Sequence, residues 1–168
     1  MPRPFYIVCA VSGALDKRTN AISLFGLVET IEFHELKPPP DAQPGTPLVV
    51  APLSMLIATA WLREEGDSPE QYFEAEIVCF LPGSDEPALT VPFEPFRFER
   101  PVHRLIVWET TLSPELDMKP GLLRFVNRVR RAGGTEWTWE QEYVIRMEQG
   151  HEMATALKAP PPQVDTSS

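Results

Sequence analysis

Hydrophobic and polar positions alternate most regularly in two segments near the C-terminus, residues 121–131 and 136–148. In the second segment the apolar residues of one face are Trp137, Trp139, Tyr143, Ile145 and Met147. In the first segment one face is apolar and the other basic, with Leu123, Phe125 and Val129 opposed to Arg124, Arg128 and Arg130. A period of two is typical of strands with one buried face and one face in water. Because Gly133 and Gly134 lie between the segments, the pattern predicts a β-hairpin.

One register of this hairpin places opposite charges outside and large apolar side chains inside. Its predicted cross-strand pairs are Phe125 with Tyr143, Val126 with Glu142, Arg128 with Glu140, and Val129 with Trp139. The apolar set of the second segment, which includes Trp137, is then expected to face the core.

The rest of the chain continues in short apolar or alternating runs separated by turn residues. Further strands are predicted at 5–11, 21–31, 48–63, 72–81, 89–99 and 102–110. In the strand 72–81, the inward side chains are expected to be Phe73, Ala75, Ile77, Cys79 and Leu81. Pro92 and Pro95 confine 89–99 to a sheet edge or an irregular crossing. Residues 32–47 are rich in proline and are predicted to form an extended loop, and Ser113 with Pro114 suits the start of one helical turn.

The chain has 168 residues and 19 prolines, and no segment shows a sustained helical period with caps. This combination predicts an all-β protein. About eight strands at the ~8–12-residue spacing of such folds predict an antiparallel β-sandwich. A partly closed β-barrel is the alternative, because the sequence leaves open whether the sheet edges meet. We expect one domain over residues 1–149 and a mobile tail over 150–168.

The net charge and the two cysteines limit the kinds of partner and the cellular compartment that we expect. The net charge of −9 argues against a nucleic-acid partner, because neutralisation of phosphates supplies most of that affinity. No apolar run is long enough to span a bilayer, and the N-terminus lacks a signal-peptide pattern. Cys9 and Cys79 lie in similar apolar runs and are expected to be small core residues. A disulfide would require adjacent strands to bring them together, and we predict a cytoplasmic protein with reduced thiols.

Residues that could carry out a reaction are scarce. His34, His103 and His151 have no metal-ligand spacing, so no metal site is predicted. Both cysteines lie among apolar neighbours, which disfavour a reactive thiolate. The carboxylate pairs, Glu74 with Glu76 and Glu140 with Glu142, fit the solvent face of strands. We therefore predict no catalytic residue and no cofactor.

The basic face of 121–131 is the first candidate binding surface. Its arginines, Arg124, Arg128 and Arg130, with Arg131 beside them, could receive an acidic partner surface or a phosphate. The alternative is that Glu140 and Glu142 neutralise them across the hairpin.

The aromatic residues of the Pro-Phe-Glu-Pro-Phe stretch are the second candidate. Phe93 and Phe96 would form a docking surface if they were exposed near a sheet edge.

The N-terminal stretch has a distinctive order of residues. An apolar strand that carries Cys9 leads to a turn with Asp16, Thr19, Ser23 and Leu24, and a second apolar strand follows at 25–31. This arrangement resembles the opening of a family of small bacterial β-sandwich proteins of unknown function. Here alanine and leucine precede Asp16, where a polar residue is commoner in that family. The resemblance implies a sandwich fold and a bacterial setting, and it implies no catalytic residue.

These observations favour a non-enzymatic module that binds another protein through strand edges, the proline-rich loop or the basic face. Free edges would also allow a homo-oligomer. The alternative is a sandwich or barrel that holds a small ligand in an apolar pocket lined by Trp61, Trp108 or Trp139. A hydrolase is the third hypothesis, and it would need clustered carboxylates, or a histidine beside one, in a cleft.

Overall fold

The computed structural model describes residues 2–16, 18–35, 49–50, 55–107 and 119–150. Every regular element in these ranges is a β-strand, which confirms the predicted all-β class. The strands are β1 (Arg3–Asp16), β2 (Ala21–Leu27), β3 (Thr30–Glu35), β4 (Val49–Val50), β5 (Leu56–Leu62), β6 (Tyr72–Phe80), β7 (Pro87–Pro92), β8 (Phe96–Arg97), β9 (Val102–Val107), β10 (Gly121–Arg131) and β11 (Thr138–Gln149). The predicted tail after 150, the helical turn at 113 and most of the proline-rich loop lie outside the described residues.

The strands form two sheets. The small sheet has the order β2-β1-β5-β9, and the large sheet has the order β4-β3-β11-β10-β6-β7, with β8 also pairing with β6. Neighbouring strands are antiparallel except β3 and β11, which are parallel. Side chains of both sheets meet in a shared core, so the predicted β-sandwich is confirmed. The described strands do not close into the alternative barrel, because no strand pairing joins the two sheets.

The predicted strand 21–31 is two strands that belong to different sheets. β2 pairs with β1, whereas β3 pairs with β11. Where the chain crosses, the Val28 amide donates to the Cys9 carbonyl (3.0 Å), and the Arg146 amide donates to the Glu29 carbonyl (2.9 Å). The prediction that residue 32 begins the proline-rich loop is wrong, since β3 continues to Glu35. The predicted strands 48–63 and 89–99 likewise contain two strands each, which raises the described number to eleven.

The core between the sheets has two parts. The larger part joins both sheets through Ile7, Cys9, Ile57, Ile77, Cys79, Leu123, Phe125, Ile145 and Met147, among others. At one end, Trp61 of β5 packs with Phe73, Phe96 and Phe98 in an aromatic cluster. Most residues predicted to face inward from strand 72–81 are fully buried, at Phe73, Ala75, Ile77 and Cys79, and Leu81 is partly buried against the core. Such burial of large apolar side chains is the main driving force for this fold.

The end of the β1–β2 hairpin lies across the outer face of the small sheet. Ile22 and Leu24 pack against Leu56 and Ala58, which point away from the main core. At the tip, the Asn20 side chain donates to the carbonyl of Val102 (3.0 Å). β5 is therefore covered on its outer face at Leu56 and Ala58, and the turn of the hairpin is held against the start of β9.

The β10–β11 hairpin has the predicted register over only part of its length. Phe125 lies opposite Tyr143 and Val126 opposite Glu142, as predicted, but the register then shifts between Asn127 and Arg128.

Beyond the shift Arg128 lies opposite Trp139, so the predicted pairs Arg128 with Glu140 and Val129 with Trp139 are wrong. One extra residue on β11 reverses the alternation that follows it. For this reason Trp137 lies on the arginine face, under the guanidinium groups of Arg128 (4.8 Å) and Arg130 (4.1 Å), and not in the core.

Candidate functional site

The arginines predicted to bind a partner are engaged within the large sheet. Arg128 and Arg130 on β10 lie directly opposite Glu76 and Glu74 on β6. Arg128 makes a salt bridge with Glu76, and the Nε of Arg130 donates to Oε2 of Glu74 at 2.7 Å. The hydrogen bond from Arg130 holds the pKa of Glu74 below its ordinary value. The neutralising carboxylates thus come from β6, which the sequence did not indicate.

Arg124, the third predicted arginine, lies further along the same face. Its guanidinium is 3.5 Å from Asp85 and 3.7 Å from Glu142, and it lies over the ring of Phe80 at 4.9 Å. The contact with Glu142 agrees with the predicted neutralisation across the hairpin, whereas the Glu140 side chain is outside the described part of the chain. A partner-binding role for this face stays a prediction.

The two predicted phenylalanines belong to the aromatic cluster of the core. Phe96 is buried, and Phe93 is half-buried with its ring 5.5 Å from that of Trp61. The structure therefore brings these two residues together, in the interior. The predicted docking surface requires both phenylalanines to be exposed, and Phe96 is buried.

In the small sheet, large apolar side chains are exposed beside the free edge of β2. β2 pairs with β1 on one side, and among the described residues its other side pairs with no strand. Phe25 and Leu27 are 63% and 56% exposed, and Val11 on the neighbouring strand is 64% exposed. No charged residue and no proline occurs in the seven residues of β2. We call Val11, Phe25, Leu27 and the free side of β2 the β2 edge.

Local backbone geometry at Gly26 lets the side chain of Val11 approach β2. Gly26 has a φ of +66°, in the left-handed region that glycine adopts without steric cost. A Cβ at Gly26 would lie 3.3 Å from Cγ2 of Val11, so the valine side chain lies directly over the glycine. In the register, Leu27 and Phe25 are the partners of Ala10 and Ser12, on either side of Val11.

The turn of the hairpin keeps the β2 edge in place. The Asp16 carboxylate accepts hydrogen bonds from the Thr19 hydroxyl (2.6 Å) and the Arg18 amide (2.8 Å), and these bonds lower its pKa. Asn20 has a φ of 58° and is tied to β9 through its side chain. These hydrogen bonds fix the start of β2 relative to β1 and β9.

The other described edges are protected by devices that β2 lacks. β7, at one end of the large sheet, begins with Pro87 and ends with Pro92, which cannot donate to a further strand. β4, at the other end, has only two residues. β9 carries His103 and Arg104 in its sequence. Charges, prolines and short length are the usual means by which edges avoid pairing with other chains.

A cleft of about 510 Å³, lined by both polar and apolar residues, lies at the tip of the hairpin. Asn20 borders it on one side, and the segment from Pro95 to Arg104 borders it on the other. His103 in this segment stacks on Phe96 with the ring centroids 4.1 Å apart and the planes 8° from parallel. Burial lowers the pKa of His103, and nearby Glu99 partly opposes this effect.

The described residues contain no group of three histidine, cysteine or acidic side chains that could hold a metal ion. Cys9 and Cys79 are free and buried, and burial raises the pKa of each thiol to about 12. Of the tryptophans predicted to line a ligand pocket, Trp61 is fully buried in the core. The side chains of Trp108 and Trp139 are not among those that the structure describes.

No helix in the described ranges is long and apolar enough to cross a membrane.

Sequence reasoning missed both the β2 edge and the cleft. The absence of charge in Ala21–Leu27 was a usable signal for the first, since edge strands ordinarily carry a charge or a proline. The cleft had no such signal, because its residues come from segments about 80 positions apart, as in the bond from Asn20 to Val102.

No family model, curated protein or solved structure matches the chain. The family resemblance of residues 7–31 and the bacterial, cytoplasmic setting therefore stay predictions. The protein belongs to the class of all-β sandwiches, and its function has to be argued from its surfaces.

Proposed function

We propose that the protein is a non-enzymatic β-sandwich module that binds another protein by accepting an extended segment along the β2 edge. The observation that supports this proposal is the exposure of Phe25, Leu27 and Val11 beside a strand edge that has no charge and no proline. Exposed apolar side chains beside a free strand edge are typical of interaction sites.

The β2 edge offers the two components that strand addition requires. Main-chain N–H and C=O groups on its free side can form a ladder with an added strand, which gives affinity. Phe25 and Leu27, two positions apart, can contact alternate side chains of that strand, which gives selectivity. Each of these side chains is more than half exposed, so covering them removes apolar surface from water at about 25 cal/mol per Å².

The chemistry of the partner follows from the charge of the chain. β2 itself is neutral, so the added segment is expected to carry apolar residues at alternate positions. The net charge of −9 repels a second copy and favours a partner that is neutral or basic around that segment. Pairing of two copies through β2 is the competing outcome, which the experiment below distinguishes.

The test compares two leucine substitutions that differ only in their location. Leu27→Lys charges the β2 edge, whereas Leu122→Lys charges a leucine of the large sheet that is 54% exposed, close to the 56% of Leu27. Tagged wild-type and variant proteins are used to capture partners from a lysate of the native cell. We expect a stoichiometric partner with the wild type and with Leu122→Lys, and its loss with Leu27→Lys.

Hydrogen exchange on the captured complex identifies the contact. Amides of residues 21–27 are expected to exchange more slowly when the partner is bound. Equal capture by both lysine variants, or protection confined to β10, would overturn the proposal. Sedimentation of the purified protein tests whether two copies pair through β2. If the wild type is a dimer and the Leu27→Lys variant is a monomer, the β2 edge binds a second copy and not another protein.

A further inference from the structure

The cleft at the hairpin tip collects positive charge on an acidic chain. Arg97, Arg100 and Arg104 border it together with one carboxylate, Glu99. Three arginines and one glutamate line the cleft, and two further carboxylates, Glu70 beside Arg97 and Asp16 beside Arg100, lie outside its lining. The whole chain carries −9, so this concentration of cations is not a property of the general surface. Such a concave cationic site attracts anions from solution.

The way in which the arginines are held keeps their charge available. Nη1 of Arg104 donates to the carbonyl of Asn20 (2.9 Å), and Nη2 of Arg100 donates to the carbonyl of Arg18 (3.0 Å). Carbonyl oxygens orient a guanidinium without cancelling its charge. In this respect Arg100 and Arg104 differ from Arg128 and Arg130, which pair with glutamates.

Hydrogen-bond donors remain for a ligand. A guanidinium has five N–H groups; Arg100 and Arg104 each use one in the bonds described above, and Arg104 also interacts with the Tyr6 hydroxyl. The Nε of Arg104 is buried and has no hydrogen-bond partner among the described residues. Arg97 has one exposed contact of 3.4 Å with Glu70. The Asp16 carboxylate is near enough to Arg100 to feel its charge, but it accepts hydrogen bonds within its own turn.

From this arrangement we propose that the cleft binds a small phosphomonoester. A phosphomonoester carries a charge of about −1.5 to −2 at pH 7, opposite in sign to the three arginines that line the cleft, and arginine forks bind its oxygens in pairs. The volume of about 510 Å³ lies in the range of about 300–1,000 Å³ that is typical of small-molecule sites. Tyr72 and the stacked rings of Phe96 and His103 border the same space and can contact the organic part of the ligand. This proposal is independent of the β2 edge.

Phenyl phosphate is a suitable first probe, because it joins a phosphomonoester to one aromatic ring. Benzoate and phenol carry the same ring with a singly charged and an uncharged group. Calorimetric titrations at constant ionic strength are expected to show the tightest binding for phenyl phosphate, weaker binding for inorganic phosphate and benzoate, and no measurable binding of phenol. Benzoate or phenol binding as tightly as phenyl phosphate would overturn the assignment.

Two arginine substitutions locate the site. Arg97→Gln removes a donor from the cleft and disturbs only the exposed contact with Glu70, so we expect a native fold and about tenfold weaker binding of phenyl phosphate. Arg146→Gln is the matched control, since Arg146 is also exposed and has one similar contact, 3.7 Å from Glu148. Equal affinities of the two variants would show that the cleft is not the binding site.

Two further measurements complete the test. The Leu27→Lys variant is expected to bind phenyl phosphate like the wild type, so the two proposals can fail separately. Sedimentation with phosphatidylcholine vesicles that contain phosphatidic acid tests for a phosphomonoester on a lipid. If the wild type binds these vesicles and the Arg97→Gln variant does not, the ligand of the cleft is a lipid headgroup and not a small soluble molecule.

Discussion

The salt bridge between Arg128 and Glu76 permits a quantitative test of the fold. The two residues are direct cross-strand partners on β10 and β6, and their side chains are only 16% and 11% exposed. The guanidinium of Arg128 also lies over the ring of Trp137 at 4.8 Å. Replacing Arg128 by methionine keeps most of the apolar stem but leaves the Glu76 carboxylate largely buried without its cation.

The expected loss of stability follows from this burial. Removing one partner of a buried ion pair typically costs about 3–5 kcal/mol, because the remaining charge is desolvated and uncompensated. Because both side chains keep some contact with water, we expect Arg128→Met to lower the free energy of unfolding by about 3 kcal/mol, the lower end of this range. Removing both charges, as in Arg128→Met with Glu76→Leu, is expected to restore stability to within about 1 kcal/mol of the wild type.

The neighbouring pair supplies an internal comparison. Arg130 and Glu74 lie two residues along the same strands with the same register, but their side chains are 30% and 28% exposed. Solvent screening weakens the contribution of such a pair. Arg130→Met is therefore expected to destabilise the protein clearly less than Arg128→Met.

Equilibrium unfolding in urea is the appropriate assay, because guanidinium chloride would screen the ion pairs under study. Circular dichroism would follow the loss of β-structure as urea is added, and the free energy of unfolding would be obtained from these curves. The proteins compared are the wild type, the two single variants and the double variant. The reasoning is refuted if Arg130→Met costs as much as Arg128→Met, or if the double variant is no more stable than Arg128→Met alone.

Three further predictions concern the two thiols, the imidazole of His103 and the close backbone approach at Gly13. Burial raises the thiol pKa of Cys9 and Cys79 to about 12, so neither is expected to react with Ellman's reagent at pH 8 until denaturant unfolds the protein. The pKa of His103 is lowered from its ordinary value of 6.5, so the unfolded chain binds the proton more readily. Stability is expected to fall as the pH drops below about 6.5, and His103→Gln should reduce that dependence between pH 7.5 and 5.5. A Cβ at Gly13 would lie 2.8 Å from a main-chain oxygen of β2, whereas one at Gly66 meets nothing within 4 Å. Gly13→Ala is therefore expected to cost about 1–3 kcal/mol in urea unfolding, and Gly66→Ala far less.

Each of these predictions has a clear opposing result. Rapid modification of the native thiols would contradict their burial. An unchanged pH dependence in His103→Gln would show that the histidine titrates alike in the folded and unfolded chain. Equal stability of the two glycine variants would contradict the close approach of the hairpin at Gly13.

Several elements were predictable because their signal is local. The strand Tyr72–Phe80 and the β10–β11 hairpin have a period of two within the segment itself, so the faces of most residues follow without knowledge of the neighbours. The sandwich class follows from many such strands and the scarcity of helical patterns. The expected inward positions of Phe73 and Phe125 are correct for the same reason.

The β2 edge and the cleft were not predictable in this way. Exposure of Phe25 depends on what packs over and beside β2, where the described residues place no further strand, whereas an apolar residue in a strand normally indicates burial. The cleft exists because the hairpin folds over β5 and β9 and brings Asn20 to Arg104. No local pattern contains either fact.

The sequence by itself determined the all-β class and the inner face of strands with unbroken alternation, such as Tyr72–Phe80, since alternation is a property of neighbouring residues. Tertiary structure alone decided which sheet each strand joins, as at the crossing between β2 and β3. It also decided that Arg128 pairs with Glu76 and that Trp137 faces the arginines, because one inserted residue in β11 reverses its alternation. The physical reason is that an apolar residue satisfies either sheet equally well, and only the long-range partners fix the choice.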